Sequence, residues 1–207
     1  MKSTKQDQVT GNMEVISECP KPRVKDRIFD AACELFYRHG IRAVGVDAIA
    51  EEAGTNKMSF YRSFASKDEL VAEYLREEER EAWKWWDDTI AAHTGNPKAQ
   101  IEALFGTLVE KTCCDESRGC ALANAAVEFP DAEHPARAVV EHFKAEMRER
   151  FRKLARETTA RDPDTLGDAL MLLWEGSYLT RLTFDGESGP SHQAAHAASK
   201  LIDAYTH

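Results

Sequence analysis

The 207-residue sequence is 43% apolar and 30% charged, enough to bury a sizeable core, which excludes an intrinsically disordered chain. No stretch approaches the roughly 18 uncharged apolar residues that a membrane span needs, so no membrane partner is expected. The formal charge of −9 argues against a surface that binds polyanions everywhere.

That charge is unevenly spread. Residues 21–75 carry nine basic and nine acidic groups, whereas 76–207 carry 16 basic and 24 acidic. Between Gly54 and Lys67 there are Lys57, Arg62 and Lys67 and no acid at all. This pattern points to a small nucleic-acid-reading head on an acidic body.

In chain order, residues 1–20 are polar and aperiodic and read as a mobile tail. They contain no apolar stretch of signal-peptide length, so a cytoplasmic location is expected. From Lys25, Ile28, Ala31, Ala32, Leu35 and Phe36 form one helical stripe, closed at Gly40. Val46, Ile49, Ala50 and Ala53 mark a short second helix that ends at Gly54. A third runs from Lys57 to Phe64, with Phe60, Tyr61 and Phe64 able to face inward. Ser66-Lys67-Asp68-Glu69 is a capping box opening a fourth helix, with Leu70, Val71, Tyr74 and Leu75 on its apolar side, that continues towards Trp86.

Beyond Pro97 the pattern is helix after helix: 101–112, 120–129, and a long one marked by Val139, Val140, Phe143, Met147, Phe151 and Leu154. The segment 166–182 is apolar on two faces, Leu170, Leu173, Trp174 and Tyr178 on one and Met171, Leu172, Leu179 and Leu182 on the other. A break at 186–190 precedes a last helix over 191–205. The predicted fold is all-α: a tail (1–20), a three-helix head (21–75) and a larger helical body (76–207).

Two short helices joined at a glycine behind a longer one match the DNA-binding helix-turn-helix. The outward residues of the second are Asn56, Lys57, Met58, Ser59 and Arg62. Asn, Ser and Arg can read base edges, and Lys can neutralise phosphate. Periodicity alone leaves open a small helical hairpin with solvated charges.

The stretch RIFDAACELFYRHGIRAVGVDAIAEEAGTNKMSFYRSFASKDELVAEYL (27–75) resembles the N-terminal domain of the tetracycline-repressor (TetR) family almost without a break. The resemblance rests on AAxxLF followed by a glycine, DxIAxxAG, an aromatic pair, and FxSKDEL. It implies a homodimeric transcription regulator that binds a double-stranded DNA operator, most simply a repressor released by a small effector. Asn56 then matches the family's N-cap of the recognition helix. Lys57, Ser59, Tyr61 and Arg62 fall where the family contacts DNA, and Lys67 matches its phosphate-contacting lysine. Two departures stand out: Gly45 where a Ser or Thr usually caps the second helix, and Met58 where a small residue is common. The body resembles the family more weakly, through GCALANAAVEFPDAEHPARAVV (119–140).

By the same resemblance the last two long helices form a dimer interface, for which Leu172, Leu179, Leu182, Leu201 and Ile202 are candidates. The two-faced pattern of 166–182 supports this independently. An effector pocket between the body helices would be walled by Trp86, Phe105, Leu108, Phe143, Met147, Trp174 and Tyr178, suiting a largely apolar ligand, with Glu175 and Arg181 able to orient a polar end. The competing reading of those aromatic residues is plain core.

Cys113, Cys114 and Cys120 lack a structural-zinc spacing and read as structural, with redox sensing and a soft-metal site as the alternatives. His192 and His196, four apart, read as solvated or interfacial, and the acidic run Glu77–Glu81 as a solvated face. No cofactor and no metal are expected. No GxSxG, HExxH, Walker loop or dinucleotide fingerprint is present, so an enzyme is a minor alternative. An architectural DNA-binding protein without a ligand is another.

Overall fold

A computed structural model describes residues 22–112, 118–184 and 189–206. The tail 1–20, with its Lys2 and Lys5, and the cysteines Cys113 and Cys114 lie outside the described residues. Among the described residues there are nine α-helices and no strand. They are α1 (Val24–His39), α2 (Val46–Glu52), α3 (Lys57–Ser63), α4 (Lys67–Ala91), α5 (Pro97–Thr112), α6 (Ala121–Glu128), α7 (Pro135–Arg156), α8 (Pro163–Arg181) and α9 (Ala194–Thr206). The all-α expectation holds.

Local chemistry sets the boundaries. Asn56 and Ser66 cap α3 and α4 by accepting from the amides of Ser59 and Glu69, each at 3.0 Å, as short polar side chains do at helix starts. The capping box at Ser66 is modified: Glu69 accepts from the Ala65 amide at 2.7 Å, one residue before the cap. Asp162 caps α8 through the Thr165 amide, and Pro163 occupies its first turn, where the missing N–H costs nothing. That carries α8 three residues further upstream than the apolar stripe suggests. The last helix is likewise entered through a 3-10 turn, Pro190–Gln193.

One apolar cluster runs through head and body. In the head, Ile28, Ala32 and Phe36 of α1 meet Ile49 of α2, Phe60 of α3 and Leu70, Val71 and Leu75 of α4. In the body, rings from four helices converge: Trp86 of α4 lies 4.8 Å from Phe151 of α7 and 5.9 Å from Trp174 of α8, and Phe105 of α5 lies 5.4 Å from Trp174 (ring centroids). Helix α4 runs past Trp86 to Ala91 and takes part in both regions.

The acidic run on α4 is not uniformly solvated as the sequence suggests. Glu81 is exposed, but Glu77, Glu78 and Glu79 are partly covered. Residue 79 lies eight positions after Val71, so helical periodicity returns it to the buried side of α4.

Helices α7 and α8 cross at close range. A Cβ built on Gly167 would sit 2.6 Å from Arg152 Cα and 2.8 Å from Arg152 N, so only glycine fits. One residue on, Asp168 accepts from both Arg148 and Arg152, Nε to Oδ1 at 2.8 Å in each pair, the fork geometry that suits guanidinium and carboxylate. Hydrogen bonds from Arg148 and then Arg152 hold the Asp168 carboxyl well below the usual carboxylate range.

Gly167→Ala should therefore destabilise the protein by about 2–3 kcal/mol, as overpacking against backbone does, measurable by denaturant unfolding. Because the folded-state pKa of Asp168 is depressed, its contribution is present above the unfolded-state pKa, about 3.9, and is lost as pH falls below it. Thermal unfolding of Asp168→Asn should accordingly show a shallower loss of Tm between about pH 4 and 2 than the wild type.

Candidate nucleic-acid interface

The head places α3 on a fixed mount. Gly54 adopts φ +60°, a left-handed conformation that side chains with a Cβ resist. There Thr55 N–H donates to Ala50 O at 2.8 Å and Gly54 N–H to Glu51 O at 2.9 Å, closing α2. Ile49 and Phe60 are wholly buried and Phe64 nearly so, which fixes the angle between the two short helices. Phe60 and Phe64 stand one helical turn apart and share the inner face.

The opposite face of α3 is open. Met58 is 65% exposed and Tyr61 50%. Asn56, Lys57 and Arg62 are exposed as well, and Ser59 is half-buried. The expectation that Tyr61 could pack inward with Phe60 and Phe64 is corrected. At about 100° per residue, position 61 is turned away from the shared face of 60 and 64, and its ring lies edge-on to Phe60 at 5.3 Å.

Three polar residues have tasks inside the head. The Asn56 side chain is engaged in its cap. Lys57 Nζ donates to Asp47 of α2 at 3.1 Å, an exposed pair of small energetic weight. Lys67 is half-buried and donates to the Ile41 carbonyl at 2.7 Å, and burial lowers its pKa from the ordinary lysine value. Gly45 caps α2 with no side-chain hydrogen bond, as its missing hydroxyl requires.

A second polar cluster, invisible in the sequence pattern, joins head to body. Glu128, at the end of α6, accepts the Ile41 amide at 3.1 Å and the Arg42 amide at 2.7 Å. Arg42 returns a bond to the Glu128 carbonyl at 3.3 Å. Arg118 donates its amide to the Tyr37 hydroxyl at 3.0 Å and its guanidinium to the Arg38 carbonyl at 2.7 Å. Both residues lie about 80 positions from their partners along the chain, beyond the reach of any local spacing. Glu128 does fall inside the stretch 119–140.

In the body, Trp86, Phe105, Leu108, Phe143, Met147 and Trp174 are brought together and buried, and Tyr178 is half-buried beside Trp174 at 6.0 Å. The rings pack on one another. At the same level, Lys144 of α7 pairs with Glu175 of α8 at 2.6 Å, and its Nζ lies 4.0 Å from Cys120 Sγ. Burial pushes the Cys120 thiol up and that of Cys33 up to about 12, which favours inert thiols over reactive ones at both positions.

The outer face of α8 carries Leu172 (74% exposed), Leu179 (67%) and Leu182 just past its end. On α9 the dimer-interface candidate Ile202 is turned towards the chain's own core. Ala194, Ala198 and Ile202 follow i, i+4, i+8 on the inner side, and Ile202 is only 1% exposed. Leu201, the neighbour, is half-buried.

The family model for bacterial regulatory proteins of the tetR family matches residues 28–74, from within α1 to the first turns of α4. The HTH-type transcriptional repressor SCO4008 of Streptomyces coelicolor is 47% identical over 51 residues, covering 25% of this chain and 27% of that one. The HTH-type transcriptional repressor DhaR of a Mycobacterium species is 23% identical over 163 residues, 75% of this chain and 81% of that one. The crystal structure of SCO4454, a TetR-family transcriptional regulator of Streptomyces coelicolor, superposes with a TM-score of 0.79 at 26% identity, covering 89% of this chain and 96% of that one. A helix-turn-helix with a buried inner face and an open outer one, on an all-helical body matched along nearly its whole length, places the protein: residues 28–74 are the DNA-binding helix-turn-helix domain of the tetR family of bacterial regulatory proteins, and the chain as a whole shares the fold of TetR-family transcriptional regulators.

Proposed function

We propose that the protein is a homodimeric repressor acting in the cytoplasm, without catalytic activity of its own, that leaves its operator when a small, largely apolar effector binds the body. The observation that carries the reading is the outer face of α3, where Met58, Tyr61 and Arg62 are exposed on a helix locked by the burial of Phe60. Arg62 reads a base edge, Tyr61 and Ser59 contact the backbone, and Met58 offers an apolar contact to thymine methyls. Lys57 turns from Asp47 to a phosphate when DNA arrives. Lys67 acts on DNA by holding the turn at Ile41, with its remaining donors towards the backbone.

Two such helices enter successive major grooves, about 34–36 Å apart, only if two chains are held together. The Leu172, Leu179 and Leu182 face of α8 fits that role, with Leu201 at its margin. The repressor names of the curated relatives support the direction of regulation. An effector entering among the body aromatics must displace some of their mutual contacts, and the half-buried Tyr178 and the Lys144–Glu175 pair mark the polar side of that region. Its differential affinity for two body arrangements is the quantity that shifts DNA binding. Glu128 at the end of α6 and Arg118 just before that helix supply the link to the head.

The direct experiment is footprinting on the DNA flanking the gene, repeated with apolar aromatic compounds. Two protected half-sites one helical turn apart, lost on adding a ligand, are expected. Absence of any protected sequence at low salt would refute the reading. Arg62→Ala should cost about 1–3 kcal/mol on the operator and relax discrimination at one position per half-site, measured by fluorescence anisotropy on single-base operator variants. Leu172→Glu and Leu179→Glu should give monomers or aggregates in sedimentation, with operator affinity falling in step. A wild-type protein that sediments as a monomer at micromolar concentration would contradict the two-groove mechanism.

A further inference from the structure

We infer that Glu79 of α4 and His142 and Glu146 of α7 form a binding site for a divalent transition-metal ion, with zinc as the chemistry that fits best. The donor atoms of the three side chains all lie within 4.8 Å of one another. His142 Nε2 is 3.7 Å from Glu79 Oε1 and 3.7 Å from Glu146 Oε2. His142 and Glu146 stand four apart on α7, so both project from one face of that helix, and Glu79 meets them from the neighbouring helix.

A second observation points to a cation. Glu79 is only 14% exposed, and its Oε1 is shut off from solvent with no hydrogen-bond partner. Leaving a desolvated carboxylate oxygen without a hydrogen bond is costly, and His142 at 3.7 Å is within ion-pair range but beyond hydrogen-bond reach. An ion between the three donors would satisfy that oxygen. Metal–ligand lengths near 2.1 Å place tetrahedral donors about 3.4 Å apart, a few tenths shorter than the 3.7 Å separations, and His142 is 70% exposed and has room to close them.

The outer shell is already built. Glu146 accepts from Arg150 Nε through Oε1 at 2.8 Å, which leaves Oε2 for the metal. Arg150 is itself fixed by Asp87 at 2.6 Å and by the Trp83 ring at 4.1 Å. Ordered second partners of this kind orient metal ligands. One imidazole and two carboxylates suit Zn2+, Co2+ or Ni2+ better than Ca2+ or Mg2+, which take all-oxygen sets. Three protein ligands leave a fourth position for water.

The site is separate from the α3 face and does not rest on the DNA-binding reading. It would join α4, whose first turns belong to the head, to α7 of the body. Neither sequence spacing nor the HExxH type of motif reveals it, since Glu79 and His142 lie 63 positions apart.

Titration of the chelator-stripped, full-length protein with Zn2+ by calorimetry, and with Co2+ by absorption, tests the inference. The expected result is one saturable micromolar site per chain, a raised Tm, and cobalt d–d bands without the near-ultraviolet band of a thiolate ligand. His142→Ala, at an exposed position that does not threaten folding, should weaken binding at least tenfold, as should Glu79→Gln, whereas His196→Ala should not. Unchanged Zn2+ binding in His142→Ala, a dominant thiolate band, no saturable binding at 100-fold molar excess, or Ca2+ bound as tightly as Zn2+ would each overturn it.

Discussion

The carboxylate of Glu128 holds the head in place. Its two oxygens take the amides of Ile41 and Arg42, groups that follow the end of α1 and have no helical acceptor of their own. Hydrogen bonds to a charged group contribute about 1.5–3 kcal/mol each, so this contact ranks with the burial of a large core side chain. Arg118 adds the Tyr37 and Arg38 carbonyl end of α1 to the same grip. Everything the α3 face can do depends on where α1 and its following turn are held, because Phe60 packs α3 within the same apolar cluster as Ile28 and Ile49.

The link between head and body therefore runs through more than one element. Helix α4 runs through both regions as one continuous helix, buried in the head by Leu70, Val71 and Leu75 and in the body by Trp86. The short α6 then ties the end of α1 and its following turn through the Glu128 carboxylate. Apolar packing is non-directional and tolerates small slides, whereas paired hydrogen bonds have two states, made or broken. The amides of Ile41 and Arg42 therefore depend on where the end of α6 sits.

Much of the head was legible in the sequence because its determinants are local. Gly54, the Asn56 and Ser66 caps and the i, i+4 pair Phe60 and Phe64 each announce their structure within a few residues. Tyr61 was ambiguous because an aromatic residue fits either face, and only the burial of its neighbours decides. Lys67 reads as a surface cation by type, yet the Ile41 carbonyl, 26 residues earlier in the chain, claims it. Glu128, Arg118 and Glu79 were illegible for the same reason, since long-range polar contacts leave no period. Ile202 followed the apolar pattern of α9 faithfully, but the pattern does not say which face meets the protein's own core.

The most direct measurement of this account is amide hydrogen exchange on Glu128→Ala beside the wild type. Removal of the carboxylate is predicted to speed exchange at Ile41 and Arg42 by about tenfold or more, as loss of a bond of about 1.5 kcal/mol implies, while amides in α7 and α8 keep their protection. Unchanged exchange at Ile41 and Arg42 would show that the Glu128 carboxylate does not hold this turn, and would contradict the account.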